Sequence, residues 1–310
     1  MAFSRDYLTT YFQDDEMTAR ILNGKAVADE LCNKITEIIA QYKVRPGLAV
    51  ILVGDDEASK VYVERKKEKS LSLGMKGRIL HMPEGSPQQI LEAIQMYNTA
   101  PDIHGILVQL PLPKGIHTSQ MIEKINPIKD VDGIHPFNLG KLMIGEPIYT
   151  PCTPQGCIRL LKHYNINPEG KRALIIGRSR IVGLPISFLL THLNATVTLA
   201  HSHSSNLPQL LSEADIIVSA VGKPKLIGTN HLKPNVAILD VGINRINQQA
   251  NNGQSVVGDV DFTPVSKVAS AISPVPGGIG PMTVACLMYN TLKASFIQEG
   301  KTMPEQFFNF

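Results

Sequence analysis

The sequence predicts an α/β protein of two domains, an N-terminal α/β unit and a Rossmann-type unit facing each other across a cleft. Three observations carry this. Short apolar runs alternate with helix-like segments, the rhythm of parallel sheets covered by helices. A turn with glycine at both ends, Gly177-Arg-Ser-Arg-Ile-Val-Gly183, stands where a strand should pass into a helix. The length, 310 residues, suits about two domains.

In chain order, Leu48 to Val53 reads as a buried strand ended by Gly54-Asp55-Asp56. Lys60 to Leu73 is helical, Arg78 to Met82 a strand, and Pro87 to Tyr97 a helix. Ile103 to Leu110 is a second buried strand, stopped by Pro111 and Pro113. After Thr118 to Ile125 the pattern loosens, and residues 126–154 are rich in Pro, Gly and Asn. Thr150 to Pro154 is the expected domain crossing. A second series follows: strand Arg172 to Ile176, helix Gly183 to His192, strand Thr196 to Ala200 and helix Leu207 to Ala214. Ile216 to Ala220 and Val236 to Val241 read as further strands, and a final helix spans about Met282 to Gln298, returning to the first domain.

Composition narrows the function. Hydrophobic residues at 43% and charged residues at 18% describe a soluble globular chain. Thirty basic against 27 acidic residues leave a net charge of +3, too balanced for a nucleic-acid partner. One basic run, Arg65 to Lys69, could attract an acidic ligand, though such runs are commonly a solvated helix face. No apolar stretch approaches the ~18 residues that span a bilayer. The acidic N-terminus, with Asp6, Asp14, Asp15 and Glu16, is neither a signal nor a transit peptide. Cys32, Cys152, Cys157 and Cys286 have no C-x-x-C spacing and read as reduced thiols in a cytoplasmic protein; the histidines lack metal-ligand spacing.

Five segments carry candidate chemistry. Ser273 to Thr283 holds three prolines and three glycines between apolar flanks. It reads as a rigid loop presenting backbone to a ligand rather than as helix or linker. The Gly177 turn offers helix N-terminal N–H groups to an anion. About 20 positions beyond Gly177, where NAD-preferring sites carry a carboxylate, the chain reads His201-Ser-His-Ser-Ser205, and Arg178 is placed to meet a 2′-phosphate; this leans towards NADP. Ser59, Tyr62 and Lys66 share a helix face, where a tyrosine hydroxyl can orient a lysine amine. Val108-Gln109-Leu110 ends a strand where open sheets bind ligands, and Lys129-Asp-Val-Asp-Gly133 supplies two carboxylates, either of which could serve only a turn.

Together these segments resemble the bifunctional methylenetetrahydrofolate dehydrogenase/cyclohydrolases. The matching pieces are Ala58-Ser59, Tyr62-Val63 with Lys66, Gly105 to Pro113, Lys129 to Gly133 and Pro151 to Pro154. In the second half they are Gly177 to Ser179 with Ile181 to Gly183 and Pro185, Asp240 to Asn244, Val257 to Val260, and Pro274 to Thr283. The likeness runs in order from about Ile21 to Ala294.

The resemblance implies a folate-binding catalytic domain over 17–150 plus 284–310 and an NADP domain over 151–283; residues 1–16 precede the usual family start and read as a disordered or a mis-assigned leader. It implies Lys66 as the acid/base lysine, Tyr62 stacking on or orienting the folate, Gln109 bonding the lysine and Asp132 anchoring the pterin. Val108 and Leu110 flank the substrate, over which Pro276, Gly277, Gly278, Ile279 and Gly280 close. Gly177, Arg178, Ser179, Ser202, His203 and Ile243 would contact NADP. Tetrahydrofolate derivatives, including polyglutamylated ones, are the implied partners of a cytoplasmic homodimer that needs no metal. Besides the leader, two departures stand out. Ser273 replaces a common threonine, and His203 stands where the family often has Arg or Lys, which bears on cofactor affinity. A dehydrogenase without cyclohydrolase activity and a silent nucleotide-binding regulator are the alternatives. Lys66, Gln109 and Asp132 count against both.

Overall fold

The structure, a computed structural model, describes residues 19–248 and 253–304; the leader 1–16 and the tail 305–310 lie outside the described residues. The first sheet is parallel, in the order β3 (Lys76–Met82), β2 (Gly47–Val53), β4 (Gly105–Val108). All seven residues of β2 are buried, which explains its unbroken apolar run. Helix α1 (Gly24–Tyr42) starts at Asn23, whose side chain accepts from Ala26 N, and buries Val27, Leu31, Ile35 and Ile38 along one stripe. Helix α2 (Glu57–Ser72) begins three residues before the expected Lys60, because Asp56 caps it by accepting from Ser59 N at 2.8 Å. Helix α3 (Pro87–Thr99) opens on a Ser86/Gln89 capping box.

The second sheet has six parallel strands, in the order β1 (Arg20–Ile21), β11 (Ala271–Ile272), β8 (Ala237–Asp240), β7 (Ile216–Ser219), β5 (Arg172–Ile176), β6 (Thr196–Ala200). Helix α7 (Gly183–His192) connects β5 to β6, and α8 (Leu207–Glu213) leads back to β7 on the other side of β5. The order thus reverses at β5, and the end of β5 is the switch point where such sheets bind ligands. The short β1 joins this sheet although residues 17–150 were expected with the first.

Besides β1 and α1, which the sequence reading leaves unassigned, three features depart from it. Residues 126–154 are not all loop: α5 (Pro136–Met143) forms there, and α6 (Cys152–His163) starts within the expected crossing. An antiparallel hairpin of β9 (Asn244–Gln248) and β10 (Gly253–Val257) follows β8. The final helix α10 (Ile279–Gln298) begins inside the stretch read as loop to Thr283. Pro281 fits there because first-turn N–H groups have no intrahelical partner to lose. Helix α10 is buried on almost every side from Met282 to Phe296 and packs against α1 and α6, with further contacts to β2 and β4. It is the element through which the two sheets share a core.

Candidate active site

The end of β4, the inner face of α2 and the start of α10 enclose a cavity of about 600 Å³. Its walls bring together Tyr62, Lys66, Val108, Gln109, Leu110, Asp132, Ile243, Ile279 and Gly280 from five separate segments. Lys66 Nζ donates to Gln109 Oε1 at 2.8 Å, and Gln109 Nε2 donates to its neighbour's carbonyl, Leu110 O, at 2.6 Å. The second bond fixes the amide so that its oxygen faces the lysine. Removal from water pushes the Lys66 amine below the usual lysine range, while the Asp132 and Cys152 side chains oppose that shift. Burial likewise pushes the Asp132 carboxyl up, against the pull of Lys66 and Cys152. Both shifts favour the neutral forms. The site therefore holds an amine that gives up its proton more readily than a free lysine, without a fixed charge on the group that orients it.

Asp130 and Asp132 divide their tasks. Asp130 Oδ2 accepts from His135 N at 2.8 Å and from Asn138 Nδ2 at 2.7 Å, so it ties its loop to α5 and is structural. Lys129, also buried, donates to Tyr97 O and Ala100 O at the end of α3. Only Asp132 of this motif lines the cavity. Ser59 lines it too, but its hydroxyl donates to Asp56 Oδ2 at 2.8 Å and so serves the helix cap.

A second cavity of about 570 Å³ lies on the other side of Tyr62. Pro276, Gly277, Gly278, Ile279 and Gly280 border it, with Lys25, Asp29, Arg65, Glu68 and Lys69. Tyr62, Ile243, Ile279 and Gly280 border both spaces, so the two are continuous around the tyrosine. Lys25 and Lys69 both approach Asp29, at 3.6 and 3.9 Å.

Gly177, Arg178, Ser179, Ser202 and His203 border neither cavity; they gather at the ends of β5 and β6. Gly177 N donates to Ala200 O at 2.9 Å, which holds the two strand ends side by side. Gly177 has φ +116°, and a Cβ there would meet Ala220 O at 2.4 Å. A Cβ on Gly183 would lie 1.9 Å from Gly177 O. Ser179 Oγ accepts from Val182 N at 3.2 Å and so shapes the turn from inside, while Arg178, Ser202 and His203 are exposed around it. A backbone turn this tight, with an exposed guanidinium and a hydroxyl at its rim, fits the diphosphate and 2′-phosphate of a dinucleotide.

Sequence reasoning missed several residues. Cys152 and Thr153 line the main cavity, and the Thr153 and Thr283 hydroxyls meet at 3.0 Å across α6 and α10. Pro151 to Pro154 was noticed as a motif, yet its side chains had no assigned task. Ile181 and Val182 link the glycine turn to the cavity wall. Arg245 reaches the cavity from β9, an element the sequence did not reveal.

Comparison with known proteins agrees with this geometry. The catalytic-domain profile of the tetrahydrofolate dehydrogenase/cyclohydrolases matches residues 22–132, and their NAD(P)-binding-domain profile matches residues 151–299. The "Bifunctional protein FolD" of Zymomonas mobilis is 48% identical over 287 residues, covering 89% of this chain and 97% of that protein. The chain belongs to the tetrahydrofolate dehydrogenase/cyclohydrolase family. Among solved members of this family, the bifunctional enzyme FolD of Campylobacter jejuni superposes with a TM-score of 0.85 at 41% identity, over 89% of this chain and 98% of that one. The Trypanosoma brucei enzyme, solved with NADP cofactor and inhibitor, gives a TM-score of 0.85 at 35% identity, over 89% and 97% of the two chains. Among the described residues no helix is long and apolar enough to cross a membrane, and no group of three or more His, Cys, Asp or Glu could hold a metal.

Proposed function

We propose that this chain oxidises methylenetetrahydrofolate with NADP and then hydrolyses the methenyl product to formyltetrahydrofolate, with Lys66 as the acid/base group of the second step. The observation that carries the reading is the Lys66–Gln109 bond of 2.8 Å inside a cavity shared with Tyr62 and Asp132. NADP, when bound, supplies the hydride acceptor. The folate's own nitrogen lone pairs drive hydride loss, so in that step the protein orients donor and acceptor. Asp132 pairs with the pterin's amino and ring N–H groups through charge-assisted bonds, and Tyr62 stacks against the folate where the two cavities meet. Val108, Leu110 and the Pro276 to Gly280 segment set the walls.

In the hydrolytic step, water attacks the methenyl carbon and one proton must leave that water. The neutral Lys66 amine accepts it, then returns it to the departing ring nitrogen as the ring opens, while the proton of the newly formed hydroxyl is released to solvent as the formyl carbonyl forms. Gln109 keeps the amine in line without adding a charge that would pin its proton.

In this reading residues 17–150 with 284–310 form the folate-binding unit and 151–283 the cofactor unit. Gly177, Arg178, Ser179, Ser202, His203 and Ile243 contact NADP. The cavity edged by Lys25, Arg65 and Lys69 carries the glutamyl tail outward, where those cations meet its carboxylates. The enzyme works as a homodimer in the cytoplasm. The family likeness supports the first point, and four buried free cysteines support the second. The test of the whole is to give the protein methenyltetrahydrofolate alone and follow loss of its near-ultraviolet absorbance, then the methylene form with NADP. Turnover in both assays is the expected result. A protein active in neither assay, or only in the second, contradicts the reading.

A further inference from the structure

Behind the rim of the cofactor unit lie two buried aspartates, Asp240 and Asp259; Asp259 borders neither cavity, and Asp240 edges only the second. Asp259 is fully buried and accepts five hydrogen bonds. Its Oδ2 takes Ser219 Oγ at 3.1 Å, Val221 N at 2.9 Å and Gly222 N at 3.3 Å. Its Oδ1 takes Lys223 N at 2.8 Å and Asn244 Nδ2 at 3.1 Å. Asp240 accepts from Gly242 N at 2.9 Å, Asp259 N at 3.0 Å and Val260 N at 2.9 Å. The packing between them is closed. A Cβ on Gly242 would lie 2.2 Å from Asp259 Oδ1, and one on Gly258 would lie 1.8 Å from Asp240 Oδ2.

These bonds converge on two segments at the carboxyl edge of the sheet. Residues 221–223 follow β7 and adjoin Gly177, since Ala220 O sits where a Gly177 Cβ would be. Residues 242–244 carry Ile243, which reaches into both cavities. Residues 221–223 lie in no strand, and the second segment enters one only at Asn244, where β9 begins. We propose that Asp259 is a positioning residue for NADP: its carboxylate holds the 221–223 and 242–244 segments at the spacing the dinucleotide needs, with Asp240 fixing Asp259 from behind. A carboxylate suits this task because all five of its partners are donors. An amide of the same shape would turn an NH₂ towards N–H groups and leave donors without acceptors. The proposal rests on the cofactor reading above.

The test is NADP binding by calorimetry to Asp259→Asn and Asn244→Ala, beside NADP-free hydrolysis of methenyltetrahydrofolate and thermal unfolding. Charged hydrogen bonds of this kind are worth enough that Asp259→Asn should raise the NADP Kd about 10-fold or more. Hydrolysis by Lys66, which sits on α2 beside the first sheet and shares no hydrogen-bond partner with Asp259, should stay within about twofold of wild type. Asn244→Ala removes one of the five bonds and loosens only the second segment, so it should fold and weaken NADP binding by a smaller factor. An unchanged NADP Kd in Asp259→Asn or, should that variant not fold, in Asn244→Ala overturns the proposal, as does an equal loss of hydrolysis and cofactor binding in a folded variant. Wild-type protein that takes no NADP would instead overturn the cofactor reading itself.

Discussion

At the scale of single residues, the site pairs an amine and a carboxyl that burial has pushed towards neutrality, Lys66 and Asp132. Asp132→Ala should raise the Kd for the folate roughly 10- to 100-fold, the range of one or two lost charge-assisted bonds, and leave NADP affinity unchanged. Titration with each ligand checks this, and equal losses for both would mark a folding defect. Because the Asp132 carboxyl is held above its usual range, wild-type folate affinity should fall as the pH drops through that raised value, where the charge is lost. His203 offers a second residue-scale prediction. An arginine in its place would add a planar guanidinium that meets phosphate oxygens through two parallel N–H donors. His203→Arg should therefore tighten NADP binding at pH 8 and leave NAD binding flat; calorimetry with both nucleotides decides it. Tyr62, Lys66 and Gln109 were legible in the sequence from helix spacing and a polar residue ending an apolar strand. Cys152, Thr153 and Arg245 were not, because their place depends on long-range packing of α6, α10 and β9.

At the scale of elements, the alternating strands and helices from β2 onward could be read to within a few residues, whereas α1, a 19-residue helix with a buried stripe, was left unassigned. The errors fell where capping chemistry or tertiary burial overrides local pattern. Asp56 advanced the start of α2, and α10 absorbed Pro281 into its first turn. In the proposed function, cofactor binding depends on the turn after β5. Gly183→Ala should weaken NADP binding severely, since its Cβ would lie 1.9 Å from Gly177 O and the turn would have to open. Direct binding measurements on folded variant protein check this. The loop before α5 gives a stability prediction. Burial raises the Asp130 carboxyl to about 6 from an ordinary value of 3.8. A raised carboxyl favours the fold at low pH, and that contribution is lost as the pH rises through about 6. Asp130→Asn cannot ionise, so the Tm of wild type relative to this variant should fall between pH 4 and pH 7. A difference constant over that range would contradict the assignment.

At the scale of the whole molecule, two parallel sheets meet along α10, and their facing edges supply different halves of one reaction. The two-domain α/β plan was visible in the alternation of apolar periods. The way β1 joins the second sheet, and the way α10 packs between α1 and α6, were not, because both are contacts between segments far apart in sequence. The central claim is that hydrolysis depends on the amine of Lys66 and hydride transfer does not. The direct measurement is the pair of rates for Lys66→Met: methenyltetrahydrofolate hydrolysis without cofactor, and NADP reduction from methylenetetrahydrofolate. The account predicts that hydrolysis is abolished, that NADP reduction survives in part, and that wild-type hydrolysis climbs with pH through a value below that of free lysine. Hydrolysis by Lys66→Met at near the wild-type rate would contradict it.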